Sequence, residues 1–193
     1  MINILANDGI SKSGENALKN AGFNISTITV AQEQLIKHIQ KENIEVVLVR
    51  SATTIRKDLI DQCPNLKIIG RGGVGMDNID VEYARNKGIN VINTPAASSA
   101  SVAELVFAHL YSCVRFLHES NRSMPLEGDT NFKKLKKAYA NGIELRGKTI
   151  GIIGFGRIGK ETAKIALGIG MKVIAFDKFL KDATLSLDFS NGK

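Results

Sequence analysis

A glycine-rich turn at residues 154–159 lies between a predicted strand and a predicted helix, and its residues have the spacing of a phosphate-binding turn. The segment reads GFGRIG, which is the pattern G-x-G-x-x-G. The first glycine permits a tight bend, the second lets the backbone approach a pyrophosphate, and the third lets helix and strand pack closely. The helix N-terminus then offers unpaired N–H groups to the phosphates. The motif predicts that Gly154, Gly156 and Gly159 bind a dinucleotide.

An acidic residue, Asp177, ends the next predicted strand about 20 residues after Gly156, which is the interval typical of a carboxylate that binds the adenosine ribose. Such a carboxylate accepts hydrogen bonds from the ribose hydroxyls and repels a 2′-phosphate, so Asp177 predicts NAD rather than NADP. The neighbouring Lys178 weakens that discrimination. The alternative is a strand, turn and helix whose glycines only permit close packing.

A second glycine cluster, GRGGVGMDNID at residues 70–80, follows another predicted strand. Ligands of open α/β sheets bind at the carboxyl ends of the strands, and successive N–H groups in such a loop cradle a carboxylate or a phosphate. Arg50 and Ser51, at the end of a different predicted strand, supply a guanidinium and a hydroxyl to the same anion. The two loops predict an anion-binding site, and the alternative is a flexible turn beside a surface arginine.

Short apolar runs alternate with amphipathic segments, which predicts the α/β class with parallel sheets and helices on both faces. The predicted strands cover residues 2–6, 23–30, 44–49, 66–70, 89–92, 148–153 and 172–176. The shorter predicted helices cover residues 11–21, 32–40, 55–62, 80–87 and 157–167.

A longer helix is predicted from about residue 99 to about residue 118, with Ser101 and Glu104 as the capping box at its start. Apolar side chains at helical spacing predict the face that packs: Val102, Leu105, Val106, His109, Leu110, Cys113, Phe116 and Leu117. A helix of this length can join two domains or pack against a partner subunit. Residues 121–146 are polar and basic, which predicts a loop with one short helix around residues 132–139.

The composition is typical of a soluble globular protein, since 44% of the 193 residues are hydrophobic and 23% are charged. No apolar run approaches the roughly 18 residues of a membrane span, and the first residues lack a secretory signal. The net charge is +7, but the lysine cluster at residues 133–137 has no interleaved aromatic side chains, so we expect neither nucleic acid nor membrane as a partner. The distant Cys63 and Cys113 predict free thiols in a cytoplasmic protein, and we expect no metal site.

Several of these motifs, in this order, are similar to those of the D-isomer-specific 2-hydroxyacid dehydrogenases. The matching segments are VRSAT at residues 49–53, GRGGVGMDNID at residues 70–80, NTP at residues 93–95, SVAE at residues 101–104 and GKTIGIIGFGRIG at residues 147–159. Within the family they are most similar to the members that act on 3-phosphoglycerate in serine biosynthesis. The resemblance implies NAD-dependent interconversion of 3-phosphoglycerate and 3-phosphohydroxypyruvate. A glyoxylate, hydroxypyruvate or lactate-type reductase of the same family is the alternative.

The resemblance also implies two domains, a flavodoxin-like substrate-binding lobe at residues 1–95 and a Rossmann-type NAD-binding domain at residues 96–193. The second would be present only in its N-terminal part, beginning with the long helix, and would form a homodimer. The implied roles are substrate-carboxylate binding by Gly73, Val74 and Gly75, a nicotinamide contact by Val74, distal-phosphate binding by Arg50, pyrophosphate contacts by Arg157 and Ile158, and ribose binding by Asp177. Residues 94–98 read TPAAS where the family often has Thr-Pro-x-Gly-Asn, which implies a stiffer hinge.

Catalysis in this family needs a histidine, a carboxylate and an arginine, carried late in the cofactor domain. His38, His109 and His118 do not match the family's histidine motif, so we expect no catalytic residue in this chain, and we expect the 193-residue chain, interpreted as a fragment, to be inactive alone. His109 is predicted to be a packed core or interface residue, and the other two histidines to lie on helix surfaces. A non-catalytic NAD-sensing regulatory protein is the alternative from another functional class.

Overall fold

The computed structural model describes residues 1–187, and the internal contacts divide the chain into two compact units. The first unit is Met1–Ala97 and the second is Ser98–Lys193. Each unit combines parallel strands with helices, so the predicted α/β class is confirmed.

The first unit contains a five-stranded parallel sheet in the order β2-β1-β3-β4-β5. Its strands are β1 (Asn3–Ala6), β2 (Asn24–Ser26), β3 (Val46–Val49), β4 (Ile68–Arg71) and β5 (Asn90–Asn93). Its helices are α1 (Lys12–Asn20), α2 (Gln32–Lys41), α3 (Lys57–Gln62) and α4 (Val81–Asn86). This is the strand order of flavodoxin, in which the direction of winding reverses between β1 and β3. A ligand crevice is therefore expected at the carboxyl ends of these two strands.

The core of the first unit lies in the middle of three adjacent strands. Leu5 is the register partner of Val47, which is in turn the partner of Ile69. All three side chains are fully buried. A parallel sheet covered on both faces favours continuous runs of β-branched and aliphatic residues, which explains the VVLV sequence of β3. The packed central strands fix the positions of the loops that follow them.

The second unit contains two parallel strands, β6 (Thr149–Ile153) and β7 (Lys172–Phe176). Its helices are α5 (Ser99–Val114), α6 (Leu117–Glu127), α7 (Phe132–Ala138) and α8 (Arg157–Gly168), with a 3-10 turn at Tyr139–Asn141. Helix α5 packs against α8. Phe107 of α5 and Ala166 of α8 are buried in one cluster with Leu145 and Met171.

Helix α5 differs from its prediction at its start and in the face that it buries. Ser101 lies inside the helix, whose N-cap is Ser98, so the predicted capping box is wrong. The buried face contains Ala103 and Phe107. Most of the predicted packing positions are exposed instead: Val102, Leu105, Val106, His109 and Cys113. Because α5 is apolar around most of its circumference, the spacing alone could not identify the face that packs on α8.

The predicted loop at residues 121–146 and the predicted length of the preceding helix are also wrong. Helix α5 ends at Val114, and α6 then occupies the first part of the predicted loop. Phe116 separates the two helices with a φ of 53°, which cannot continue a right-handed helix. The short helix predicted at residues 132–139 is confirmed as α7. No single helix within residues 1–187 is long and apolar enough to cross a membrane; α5 and α6 meet the length and composition criteria only together, across a 56° bend.

Two substitutions on α5 test which face is buried. Phe107 is 4% exposed and Leu105 is 55% exposed. We expect Phe107→Ala to lower the free energy of unfolding by about 3–5 kcal/mol, because it leaves a cavity against α8. Leu105→Ala is expected to change that free energy by less than about 1 kcal/mol. Urea denaturation, followed through the NMR signals of the second unit, measures the free energy of unfolding of both variants. Equal decreases of this free energy in the two variants would contradict the packing of Phe107 on α8.

Candidate functional site

A cavity of about 670 Å³ opens at the carboxyl edge of the sheet in the first unit, where the winding reverses between β1 and β3. The loops after β1, β3 and β4 and the end of β5 form its walls. The lining residues are Asp8, Gly9, Ile10, Ser11, Leu48, Val49, Arg50, Gly70, Arg71, Gly72, Ile92, Asn93 and Thr94. The topology of the sheet therefore brings the predicted anion-binding arginine and the start of the glycine cluster to one cavity.

The backbone of Arg50 is held on one side by the carboxylate of Asp8. Asp8 Oδ2 accepts hydrogen bonds from the N–H of Arg50 at 2.6 Å and from the N–H of Thr53 at 3.1 Å. Asp8 Oδ1 accepts a further bond from the Thr53 hydroxyl. Partial burial raises the pKa of Asp8, but the Thr53 hydroxyl and the N–H groups of Arg50 and Thr53 outweigh it and hold the pKa below its ordinary value. Asp8 is therefore ionised at neutral pH.

On the other side, Asn78 holds the same turn through its side-chain amide. Asn78 Nδ2 donates to the carbonyl oxygens of Arg50 at 2.8 Å and Thr53 at 2.6 Å. The side chain is 6% exposed, and its Oδ1 is buried with no partner among the described residues. Asn7, also buried, donates from Nδ2 to the Thr53 hydroxyl oxygen at 2.8 Å and ties the turn to the end of β1. The main chain of residues 50–53 is thus fixed by side chains from two other loops.

The side chain of Arg50, in contrast, has no polar partner. Within residues 1–187 its guanidinium makes no hydrogen bond and no ion pair, and the residue is exposed at the cavity wall. An unpaired guanidinium presents donors in a planar fork that matches the oxygens of a carboxylate or a phosphate. Ser51, the other predicted side chain of this turn, is not among the residues that line the cavity.

Arg71, at the end of β4, is a second cavity arginine that the sequence reasoning missed. Its side chain is only 13% exposed, and its Nε donates to the Arg50 carbonyl oxygen at 3.2 Å. Its guanidinium lies against residues 72–75, which we call the glycine loop. A Cβ added at Gly73 would lie 3.4 Å from Nη1 of Arg71, and one added at Gly75 would lie 3.3 Å from the same atom. A basic residue in the strand end that precedes the GGVG segment is the sequence signal that could have identified it.

The glycine loop itself is anchored through some of its own backbone groups. The Gly72 N–H donates to the Val49 carbonyl oxygen at 2.9 Å, and the Gly73 N–H donates to the Arg71 carbonyl oxygen at 3.0 Å. Asn93 Nδ2 donates to the Val74 carbonyl oxygen at 2.7 Å. In the described part of the chain the N–H groups of Val74 and Gly75 have no acceptor. Of Gly73, Val74 and Gly75, the residues predicted to bind a substrate carboxylate, the last two retain an N–H to donate, but none of the three is among the residues that line the cavity.

The glycine turn at residues 154–159 lies in the second unit, between β6 and α8. Gly154 has a φ of +93°, which favours glycine, and its N–H donates to Phe176 of β7 at 2.7 Å. A Cβ at Gly159 would clash with the Gly154 carbonyl oxygen, which explains the third glycine of the motif. At Gly156, in contrast, no described atom lies within 4 Å of an added Cβ. The open side of Gly156, next to the unpaired N–H groups at the start of α8, leaves room for a pyrophosphate. Arg157 and Ile158 occupy the first turn of α8, at the predicted place.

Asp177 follows β7 and is bound to the glycine turn. Its Oδ2 accepts the N–H of Phe155 at 2.7 Å, and its Oδ1 accepts the N–H groups of Phe179 at 2.9 Å and Leu180 at 3.0 Å. The Phe179 N–H, followed by that of Phe155, holds the pKa of Asp177 below its ordinary value. A carboxylate has about four acceptor positions, so one of them is left for a ribose hydroxyl.

Among the residues that the structure describes, no group of three or more His, Cys, Asp or Glu side chains could hold a metal ion. The polar side chains at the cavity are two arginines, the hydroxyls of Ser11 and Thr94, the amide of Asn93 and the carboxylate of Asp8. The carboxylates of Asp8 and Asp177 already accept backbone N–H groups.

Comparison with known proteins gives a consistent result. The family described as "D-isomer specific 2-hydroxyacid dehydrogenase, catalytic domain" matches residues 4–182. The chain is 42% identical over 184 residues to a hydroxypyruvate reductase of Thermotoga maritima, covering 95% of this chain and 58% of that protein. It is 39% identical over 180 residues to a D-3-phosphoglycerate dehydrogenase of Methanocaldococcus jannaschii, covering 93% of this chain and 33% of that protein.

A solved structure agrees with this. The NAD+-bound 3-phosphoglycerate dehydrogenase of Entamoeba histolytica is 30% identical with a TM-score of 0.71, covering 94% of this chain and 55% of that chain. The chain therefore spans between about a third and somewhat over half of the length of the proteins that it matches.

Two alanine substitutions in the glycine turn separate packing from ligand approach. We expect Gly159→Ala to lower the free energy of unfolding of the second unit by about 1–3 kcal/mol, because its Cβ clashes with the turn. Gly156→Ala is expected to cost less than about 1 kcal/mol, yet to weaken NADH binding by about tenfold or more, because its methyl group occupies the space that a pyrophosphate needs.

Urea denaturation and NADH fluorescence titration measure the two effects. Gly151→Ala is the matched control, because a Cβ there also meets no described atom within 4 Å while the residue lies within β6. NADH affinity in Gly156→Ala equal to that of the control would show that the turn does not approach the cofactor.

Proposed function

The chain belongs to the D-isomer-specific 2-hydroxyacid dehydrogenases, and from that premise we propose that it forms the substrate site and part of the cofactor site of an NAD-dependent enzyme. The proposed reaction interconverts 3-phosphoglycerate and 3-phosphohydroxypyruvate. A bound nicotinamide supplies the hydride acceptor or donor for C2 of the substrate. The residues of this chain bind and orient the two molecules.

The observation that carries the phosphorylated substrate is the pair of arginines at one cavity. Arg50 and Arg71 both line the wall next to the glycine loop. A three-carbon acid with a phosphate at one end and a carboxylate at the other needs two separate anion sites. We assign the phosphate to the guanidinium groups, although Nη1 of Arg71 also lies 4.0 Å from Asp77 Oδ1. We assign the carboxylate to the N–H groups of Val74 and Gly75, which follow the cavity residues Arg71 and Gly72 in the same loop. The contact between Val74 and a nicotinamide stays a prediction from the family resemblance.

The cofactor residues follow from the second glycine turn. The open backbone at Gly156 and the N-terminus of α8, with Arg157 and Ile158 in its first turn, would hold the pyrophosphate. Asp177 would use its remaining acceptor position for the adenosine ribose. Its charge disfavours a 2′-phosphate, which supports NAD over NADP.

Reduction of hydroxypyruvate or glyoxylate is the second candidate, because a relative with 42% identity is a hydroxypyruvate reductase. Such substrates carry the carboxylate but lack the phosphate. They would use the N–H groups of the glycine loop and leave the guanidinium of Arg50 without a ligand. Selectivity for the phosphate therefore distinguishes the two candidates.

We expect the chain to bind NADH at least about tenfold more tightly than NADPH, because the 2′-phosphate of NADPH meets the carboxylate of Asp177. Fluorescence titration of both nucleotides at moderate salt measures the ratio. Tighter binding of NADPH would contradict the assigned role of Asp177, and the ratio should not change in Lys164→Ala, a variant of a lysine that is paired with Glu161 on α8.

Substitution of Arg50 tests the substrate class. We expect Arg50→Ala to weaken binding of 3-phosphoglycerate by about tenfold or more and to change binding of D-glycerate by less than about twofold, because only the first ligand carries a phosphate. NMR titration of the wild-type protein and the variant measures both dissociation constants. Arg56→Ala is the matched control, since Arg56 is paired with Asp80 and does not line the cavity. Equal effects on the two ligands would favour the unphosphorylated substrates.

A further inference from the structure

The cavity proposed to bind an anionic substrate contains a carboxylate, that of Asp8. An anion in this cavity is repelled by that charge, so the charge needs another explanation. Asp8 forms no ion pair with either cavity arginine within residues 1–187. Its hydrogen bonds go to the N–H of Arg50 and to the N–H and hydroxyl of Thr53.

These bonds hold the main chain from which the Arg50 side chain extends. The Arg50 N–H is bound by Asp8, and the Arg50 carbonyl accepts from Asn78 Nδ2 at 2.8 Å and from Arg71 Nε at 3.2 Å. Both polar groups of the Arg50 peptide backbone are therefore occupied, whereas its guanidinium has no partner in the described residues. The arrangement fixes the base of the side chain and leaves its charged end available.

Asn78 also holds the backbone of Arg50, although this residue is buried and its Oδ1 has no partner among the described residues. Leaving a buried amide oxygen without a partner destabilises the fold. The favourable interactions of this side chain are the hydrogen bonds that its Nδ2 donates to the carbonyl oxygens of Arg50 and Thr53. The charge of Asp8 and the buried amide of Asn78 are both unfavourable by themselves, and both hold the backbone of the turn at residues 50–53.

We propose that Asp8 is a positioning residue for substrate selection: it holds the Arg50 backbone so that the guanidinium meets the second anionic group of the ligand. This inference rests on the proposed function, because it concerns the same phosphate. Asp8 does not touch the ligand itself, and it acts through Arg50.

Two effects of removing the Asp8 charge have opposite signs, which makes the proposal testable. If the charge acted only through its field, Asp8→Asn would tighten the binding of every anion in the cavity. If Asp8 positions Arg50, the same substitution weakens the binding of a phosphorylated ligand. An asparagine has a single acceptor oxygen. If that oxygen faces the N–H groups of Arg50 and Thr53, these bonds lose the charge that strengthens them, and the Thr53 hydroxyl, which already accepts from Asn7, can no longer donate to residue 8.

The experiment is an NMR titration of the 193-residue protein with 3-phosphoglycerate and with D-glycerate. We expect Asp8→Asn to raise the dissociation constant of 3-phosphoglycerate by about fivefold or more and that of D-glycerate by less than about twofold. Asp58→Asn is the matched control, since it removes the same charge from an exposed position outside the cavity. Equal or tighter binding of 3-phosphoglycerate by Asp8→Asn would overturn the proposal. Loss of both ligands in parallel would do so too, because it would indicate a structural role only.

A double-mutant cycle tests whether the effect passes through Arg50. In the Arg50→Ala background, Asp8→Asn should cause no further loss of 3-phosphoglycerate binding. The same fivefold loss in that background would show that Asp8 acts independently of Arg50 and would refute the positioning role.

The isosteric Thr53→Val carries the test if Asp8→Asn does not fold. It removes the hydroxyl that orients the Asp8 carboxylate and accepts from Asn7, and it leaves the charge of Asp8 in place. It should also lower selectivity for the phosphate, and unchanged selectivity would overturn the proposal. Failure of the proposed function looks different: the wild-type protein itself would then bind 3-phosphoglycerate no more tightly than D-glycerate. A selective wild-type protein with an equally selective Asp8→Asn variant refutes the positioning role alone.

Discussion

The carboxyl ends of five parallel strands meet at one edge of the first unit, and the candidate substrate site depends on that constraint. Asp8, Arg50 and Arg71 are far apart in sequence, yet they follow or end β1, β3 and β4 and so line one cavity. The reversal of winding between β1 and β3 keeps the crevice open there. The fully buried Leu5, Val47 and Ile69 hold these three strands in register, so the core and the site share one support.

Apart from the parallel α/β architecture and the meeting of Arg50 with the start of the 70–80 loop, the features that the sequence predicted correctly are local ones. The turn at Gly154 and its neighbouring glycines, the strand alternation and the short helix α7 each depend on residues close together in the chain. The missed features depend on what lies opposite in the fold. The buried face of α5 is chosen by α8, and the role of Arg71 by the adjacency of β3 and β4. The break at Phe116 has no glycine to mark it, so neither spacing nor composition could predict it.

In the first unit a carboxylate lies in the cavity that we propose to bind an anion. Asp8 receives N–H and O–H donors from Arg50 and Thr53, which offset its charge locally and keep its pKa below the ordinary value. The guanidinium of Arg50 forms no ion pair with Asp8 among residues 1–187. The charged side chains that line the cavity are therefore Asp8, whose oxygens accept hydrogen bonds, and the two arginines Arg50 and Arg71.

In each unit an aspartate that follows a parallel strand fixes the backbone of a neighbouring loop. Asp8 follows β1 and Asp177 follows β7, and each accepts a backbone N–H group from a neighbouring loop that we propose to face a ligand. The pKa of each lies below its ordinary value, with hydrogen bonds from the loop among the causes in both. A neutral amide at Asp177 would present a donor to a backbone N–H group, because both of its oxygens accept N–H groups. A neutral amide at Asp8 would lose the charge that strengthens its bonds to the N–H groups of Arg50 and Thr53. An aspartate after a parallel strand therefore shapes the neighbouring loop through its charge, whether or not it also touches the ligand.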